Sequence, residues 1–181
     1  MGGSISFAVQ AGPAGRSEWS SLARTVEDAG FDALCVGDHP GLSVSPFVAL
    51  AAAAPATTSV ALGTAVLNGG VREPLDIASD VASLALVSEG RAFLGLGAGH
   101  TPSEWTAIGR AFPRASERIE RLVELVPLVT RLLAGEVIDH EGEHFQLRGA
   151  RLELGRTPNV PLLIGGNSRA VVRIGAQLAD E

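Results

Sequence analysis

An acidic residue and a histidine follow an apolar run in the stretch "ALCVGDHP", where Asp38 and His39 come shortly after residues 33–36. Histidine accepts or donates a proton near neutral pH, and a neighbouring carboxylate can fix which ring nitrogen carries the proton. If the apolar run is a buried strand, both residues lie at its carboxyl end, where the sites of β/α proteins collect. The structural alternative is a turn in which Asp38 caps backbone amides and His39 is solvated.

The stretch "FLGLGAGHTPSEW" is a second candidate for chemistry. Gly95 and Gly97 inside a strand indicate a close approach by a neighbouring layer or by a ligand, and Gly99 and His100 follow on a loop. Glu104 stands where a negative charge favours the start of a helix. The alternating glycines resemble a dinucleotide loop, but a histidine stands where the G-x-G-x-x-G fingerprint has its third glycine, which excludes that fingerprint.

The stretch "GGNSRA" is a candidate anion site between an apolar run and a final helical segment. Gly165 and Gly166, followed by Asn167 and Ser168, present backbone N–H groups and side-chain donors at the start of a helix. A phosphate is stabilised by such donors and by the helix dipole, with Arg169 a further partner if its side chain turns inward. An ordinary helix N-cap is the alternative.

The stretch "HEGEH", residues 140–144, matches the H-E-x-x-H pattern of zinc proteases letter by letter. That chemistry needs a helix with both histidines on one face. Gly142 and the flanking runs "EVID" and "FQL" indicate a hairpin instead. We therefore expect no metal site.

Short apolar runs, nearly continuous rather than alternating, predict the buried strands of a parallel sheet at residues 5–9, 33–36, 60–67, 93–97 and 161–165. Helical patterns begin near Ser17, Pro74, Ser116 and Ser168, and Pro127 is expected to kink or interrupt the third helix. This alternation predicts an α/β architecture. A doubly wound sheet and a (β/α)8 barrel both fit, and the failed dinucleotide fingerprint favours the barrel.

The composition predicts a single domain over residues 1–181, since a chain with 46% apolar residues can build a substantial core. A formal net charge of -6 argues against nucleic acid as a general partner. No basic leader opens the chain and no apolar stretch is long enough to span a bilayer, so we expect a cytoplasmic protein without a membrane partner. The single Cys35 excludes an internal disulfide and suits a buried strand.

Taken in order, these stretches resemble the bacterial luciferase-like monooxygenase superfamily of flavin- and deazaflavin-dependent oxidoreductases. The resemblance rests on "AGFDALCVGDHP", on the segment from "VALGTAVLNGG" to "GHTPSEW", on "VIDHEGEHFQL" and on "PLLIGGNSRA". It implies a TIM-barrel-like fold that holds its cofactor at the carboxyl ends of the strands, usually in a dimer. The Asp-His pair is most similar to the branch that uses the 5-deazaflavin coenzyme F-420 (F420), and FMN is the alternative cofactor.

The resemblance also implies roles for single residues. His39 and His100 would be catalytic, in proton transfer or substrate orientation. In the sugar-phosphate dehydrogenase branch a glutamate matches His100, so the histidine disfavours that substrate class. Ala65 and Val66 match a bulged strand that often carries a non-proline cis peptide. The cofactor-binding residues implied by the resemblance are Asp38, Ala65, Val66, Gly97, Gly99, Gly165, Gly166, Asn167 and Ser168.

Members of the superfamily are roughly twice as long because their barrel needs eight strands, whereas this chain accounts for about five β/α units and a hairpin. The resemblance therefore implies an incomplete barrel, whose open edge a homo-oligomer or a partner chain would cover. It favours an oxidoreductase that moves hydride between a deazaflavin coenzyme and a small organic substrate. The alternatives are an FMN-dependent monooxygenase and a truncated, non-catalytic relative that acts as a binding or assembly subunit.

Overall fold

The computed structural model of the chain describes residues 5–154 and 159–179. Its strands are β1 (Ala8–Gln10), β2 (Ala33–Val36), β3 (Ala61–Thr64), β4 (Leu67–Asn68), β5 (Ala92–Gly97), β6 (Ile138–Glu141), β7 (Gln146–Ala150) and β8 (Leu162–Gly165). Its α-helices are α1 (Arg16–Asp28), α2 (Pro46–Ala53), α3 (Pro74–Val87), α4 (Pro102–Ala107), α5 (Ala115–Leu133) and α6 (Arg169–Leu178). No helix within these residues is both long enough and apolar enough to cross a membrane.

All strands except β6 and β7 form one parallel sheet. Both β3 and β4 pair with β5, so they act as two parts of one strand that is interrupted at Ala65 and Val66. The order across the sheet is then β1, β2, β3 with β4, β5 and β8. Because these strands run in one direction and alternate with helices, the predicted TIM-barrel-like β/α architecture is confirmed, and the carboxyl ends of the strands meet at one edge.

The outer strands are β1 and β8, each of which pairs with a single neighbour in the described part of the chain. This position explains one difference from the sequence prediction. The first strand begins at Ala8 rather than at Ile5, and the side chains of Ile5 and Phe7 are exposed because only one strand flanks this segment. The prediction of a barrel that is not closed by these strands is confirmed.

Most of the predicted helices are confirmed, with shifts at their starts. The N-cap of α1 is Gly15, so Ser17 lies inside the helix, and α5 begins at Ala115 after Arg114. The expectation that Pro127 interrupts α5 is wrong. The helix runs through it because an apolar face that includes Leu125 and Val129 packs against the core and outweighs one missing hydrogen bond.

Helix α2 was missed, and of α4 the sequence indicated only a start near Glu104. The stretch "PFVALAAA" of α2 is apolar on every side, so it lacks the periodicity that reveals an amphipathic helix. The six residues of α4 are too few for such a pattern. Helix α2 packs against β2 and β3, and α4 follows the loop after β5.

One hydrophobic core joins the sheet to α1, α2, α3 and α5. Leu34, Leu62 and Leu94, on three neighbouring strands, are at most 1% exposed. Cys35 lies in the same sheet, and burial raises the pKa of its thiol to about 11, so the thiol stays protonated at neutral pH. This confirms its prediction as a core residue.

The carboxylate of Glu27, at the end of α1, holds the loop that leads into β3. It accepts hydrogen bonds from the backbone amides of Thr58, Ser59 and Val60 and from the hydroxyl of Ser59. These bonds, above all those from Val60 and Ser59, lower the pKa of Glu27 from 4.5 to about 2. The ionised side chain thus ties the first helix to the strand that carries the bulge.

We expect Glu27→Gln to lower the free energy of unfolding at pH 7 by about 1 kcal/mol, the size of a lost helix cap. A carboxylate with a depressed folded pKa stabilises the fold above about pH 4.5 and loses that effect as the pH falls towards 2. The difference between wild type and variant should therefore shrink over this range in urea titrations. Glu143→Gln removes an exposed carboxylate that lies outside the helices and has no hydrogen-bond partner in the described structure, and it should show neither effect. An equal loss in both variants would contradict the role of Glu27.

Candidate active site

A cleft of about 850 Å³ opens at the carboxyl ends of the parallel strands. Its walls come from the ends of β1, β2, β4, β5 and β8 and from the first turns of α4 and α5. The structure brings every predicted site residue to this cleft: Asp38, His39, Ala65, Val66, Gly97, Gly99, His100, Gly165, Gly166, Asn167 and Ser168. Their roles remain predictions, but their convergence from four separate stretches of sequence makes this cleft the candidate site.

Asp38 is a buried residue of the cleft wall, and both oxygens of its carboxylate are hydrogen-bonded. Both oxygens accept hydrogen bonds from the guanidinium of Arg72, each at 2.8 Å, and Oδ2 also accepts the backbone N–H of Asn68. The hydrogen bonds to Asp38 raise the pKa of Arg72. Asp38 therefore fixes the end of β4 against the loop after β2, which is the capping role that the sequence left open. Arg72 was missed because an arginine in a loop carries no signal of its partner.

His39 has one ring nitrogen bonded and the other free. Its Nδ1 lies 2.7 Å from Oε1 of Glu104, while Nε2 has no hydrogen-bond partner among the described residues. The side chain is 45% exposed on the cleft wall. Its backbone is also held, because the N–H donates to the hydroxyl of Ser43 at 3.0 Å. The carboxylate that contacts His39 is thus Glu104, not the adjacent Asp38.

Glu104 and Asn68 form a buried polar pair behind His39. Glu104 is 2% exposed and Asn68 4%, and the amide Nδ2 of Asn68 donates to Oε2 of Glu104. Sequence reasoning placed Glu104 only as a favourable charge at a helix start and gave Asn68 no role. The sequence could not reveal this pair, because 36 residues separate Asn68 from Glu104 and only the fold brings them together.

His100 adds a second imidazole to the same wall. Its ring meets that of His39 edge to face, with 5.8 Å between centroids and 86° between planes. His100 itself is exposed and makes no hydrogen bond in the described structure. Two histidines side by side on one wall can carry a proton between a bound substrate and solvent.

The peptide bond between Ala65 and Val66 is cis, as the resemblance implies for this bulge. The side chain of Val66 lies between Gly97 of β5 and Gly165 of β8. A Cβ atom on Gly97 would stand 2.6 Å from Cγ2 of Val66, and one on Gly165 would collide with Cγ1. These two glycines therefore make room for Val66, and the three residues together form the floor of the cleft.

The glycine at position 99 makes room for Asn68. Gly99 has a φ of +74°, and a Cβ atom there would collide with the amide group of Asn68. The sequence pattern indicated that some group approaches the backbone closely at this point. It could not show that this group is the side chain of Asn68.

At the other side of the cleft, residues 166–170, which lead into α6 and begin it, are exposed. The hydroxyl oxygen of Ser168 accepts the N–H of Val171 at 3.2 Å, so Ser168 is a helix N-cap, and Asn167 and Gly166 precede it with exposed surfaces. Arg169 is exposed and does not line the cleft. A different cation does so, since Arg118 of α5 lies on the cleft wall with its guanidinium 4.3 Å from the ring of Phe112.

The "HEGEH" stretch forms the predicted hairpin and lies away from the cleft. Burial acts to raise the pKa of Glu124 on α5, but hydrogen bonds from His140 and from the amides of His144 and Phe145 outweigh it, so the pKa is lowered. Glu124 thus binds the hairpin turn to α5. No group of three or more metal-binding side chains occurs in the described part of the chain.

Comparison with known proteins agrees with this geometry. The sequence profile of the luciferase-like monooxygenase family matches residues 3–181. The chain belongs to this family. The F420-dependent glucose-6-phosphate dehydrogenase of Nakamurella multipartita is 34% identical over 174 residues, which cover 92% of this chain and 51% of that protein. The F420-dependent hydroxymycolic acid dehydrogenase of Mycobacterium tuberculosis is 36% identical over 147 residues, covering 77% of this chain and 40% of that protein.

A solved structure shows the same fold. An F420-dependent secondary alcohol dehydrogenase, in complex with an F420-acetone adduct, superposes with a TM-score of 0.85 at 24% identity, over 100% of this chain and 57% of that one. The chain thus spans about half the length of the luciferase-like proteins that it matches.

The requirement for glycine at position 99 can be tested against a matched glycine. Gly109 has a φ of +75°, nearly the same as the +74° of Gly99, but a Cβ atom on Gly109 would meet nothing within 4 Å. We expect Gly109→Ala to cost about 1 kcal/mol, from the left-handed backbone alone. Gly99→Ala should cost about 2–4 kcal/mol, because Asn68 must also move. Urea unfolding measures both values. Equal losses would show that Asn68 leaves room for a side chain.

Proposed function

We propose that the chain is the coenzyme-binding part of an F420-dependent oxidoreductase that moves hydride between the deazaflavin and a small organic substrate. The observation that carries the proposal is the free Nε2 of His39 on the wall of a cleft at the strand ends. The relatives named above are F420-dependent dehydrogenases. This supports F420 as the cofactor and the oxidation of a substrate as the reaction.

The residues of the cleft fit such a coenzyme. The floor formed by Val66, Gly97 and Gly165 has little side-chain relief, which suits a planar ring. The exposed residues 166–170, with the hydroxyl of Ser168, offer donors for a phosphate, and Arg118 adds a positive charge to the wall. FMN shares the planar ring and the phosphate, so it is the competing ligand in the binding experiment.

When bound, the deazaflavin supplies or accepts the hydride. In the oxidation of an alcohol, Nε2 of His39 would accept the hydroxyl proton of the substrate. The C–O single bond becomes a carbonyl, and His39 becomes an imidazolium. His100 stands next to this ring and can pass the proton on to solvent. Reduction of a carbonyl runs the same steps in reverse.

We infer that the outer edge of β1 is covered in the working enzyme, either by further β/α units or by a second copy. Parallel edge strands expose unpaired backbone groups, and exposed Ile5 and Phe7 lie next to the edge strand β1. Assignment to a single domain over residues 1–181 and to the cytoplasm stays a prediction.

The phosphate end of the cleft can be tested by a change of charge. We expect Asn167→Asp to weaken F420 binding about tenfold or more, because a carboxylate before α6 repels the phosphate. The measurement is a titration followed by the absorption of F420, with FMN titrated in parallel. Asn159→Asp makes the same change at an exposed position that does not line the cleft and should leave binding unaltered. Tighter binding of FMN than of F420 would favour the monooxygenase alternative, and binding of neither would favour a non-catalytic relative.

The base can be tested separately from binding. His39→Ala should reduce turnover about 10²–10⁴-fold, the usual contribution of general acid–base catalysis, while the dissociation constant of F420 changes little. His100→Ala should cause a smaller loss, because solvent can replace a proton relay. Reduction of F420 with a panel of small secondary alcohols gives both rates. Full turnover in His39→Ala would exclude His39 as the base.

A further inference from the structure

The carboxylate of Glu104 is buried directly behind the cleft wall. Its side chain is 1% exposed, and no arginine contacts it in the described structure. A buried carboxylate must receive hydrogen bonds, because desolvation otherwise makes it very unfavourable. The two oxygens face different partners: Oε2 faces Nδ2 of Asn68, and Oε1 faces Nδ1 of His39 at 2.7 Å.

The orientation of Asn68 follows from a backbone amide that can only donate. The N–H of Gly70 donates to Oδ1 of Asn68 at 2.9 Å, so Nδ2 must point the other way, towards Glu104. A flipped amide group would set two donors against each other at Gly70 and two acceptors against each other at Glu104. The backbone of Asn68 is fixed as well, because its N–H donates to Oδ2 of Asp38 at 3.0 Å.

This orientation determines which nitrogen of His39 carries the proton. Oε2 of Glu104 accepts from Asn68, and an ionised carboxylate has no proton to give from Oε1. With Glu104 ionised, Nδ1 of His39 must therefore be the donor. In a neutral imidazole the other nitrogen, Nε2, then has the free lone pair, and it is this nitrogen that has no partner in the described structure.

We infer that Glu104 is a positioning residue that holds His39 as the Nδ1–H tautomer, so that Nε2 faces the cleft as a base. The catalytic consequence rests on the proposed function, whereas the tautomer itself does not. When Nε2 takes a proton, the imidazolium forms beside the carboxylate of Glu104, which stabilises the positive charge.

The tautomer is measurable by NMR without any coenzyme. In a neutral ring, the nitrogen that bears hydrogen and the bare nitrogen have well separated 15N shifts. The chain has four histidines, and His39→Ala identifies the signals of His39 by their loss. At a pH where the ring is neutral, we expect Nδ1 to be the protonated nitrogen. A wild-type spectrum with the proton on Nε2 would overturn the inference.

Glu104→Gln gives a sharper result, because the wild-type network predicts an inversion. Nδ2 of Asn68 still has to donate, so Oε1 of Gln must face Asn68 and its NH₂ group must face His39. Nδ1 then becomes an acceptor, and the proton should move to Nε2. Glu120→Gln removes the same charge at an exposed position of α5 and should leave the His39 signals unchanged. An unchanged tautomer in Glu104→Gln would show that Glu104 does not control it.

With F420 and an alcohol present, Glu104→Gln should lower kcat about 10²–10³-fold and leave the dissociation constant of F420 within about threefold. The two proposals fail in different ways. If the chain shows the Nδ1–H tautomer but does not bind F420, the proposed function is wrong and the inference stands. If the chain turns over with His39 in the opposite tautomer, the inference is wrong and the proposed function stands.

Discussion

A carboxylate removed from water sets the conditions for the whole wall of the cleft. Glu104 is buried without a neighbouring arginine in the described structure, so neutral donors must satisfy its oxygens. Asn68 and His39 provide them, and each is held in turn: Asn68 by Gly70 and Asp38, His39 by Ser43. The hydrogen bonds run from the backbone N–H of Gly70 through Asn68 and Glu104 to the ring of His39. The other ring nitrogen of His39, Nε2, faces the cleft.

The ion pair between Asp38 and Arg72 has a structural role. Asp38 and Arg72 are joined by two hydrogen bonds, and Asp38 also binds the backbone at the start of the polar chain. Paired guanidinium and carboxylate groups have a fixed relative geometry, so they hold the loop after β2 and the loop after β4 at a set distance. Asp38 and His39 are adjacent in the sequence but have different partners: Asp38 joins two loops, whereas His39 keeps one ring nitrogen free at the cleft.

The sequence predicted the architecture and the residues that converge on the cleft, because both depend on local patterns. Nearly continuous apolar runs indicated buried parallel strands, and the residues after their carboxyl ends had to converge. Glu104 and Arg72 were beyond such reasoning, since their partners lie 65 and 34 residues away and only the packing of strands brings them together. Helix α2 was missed for a related reason, because a helix that is apolar all round has no periodicity to detect.

Val66 shows a consequence of building the floor of a cleft from the interior of a sheet. Its methyl groups face the cleft and at the same time fill the gap between β5 and β8 that two glycines leave open. A larger residue at either glycine would displace Val66, and a smaller residue at position 66 would leave a void between the strands. The shape of this floor and the spacing of two strands are therefore a single property.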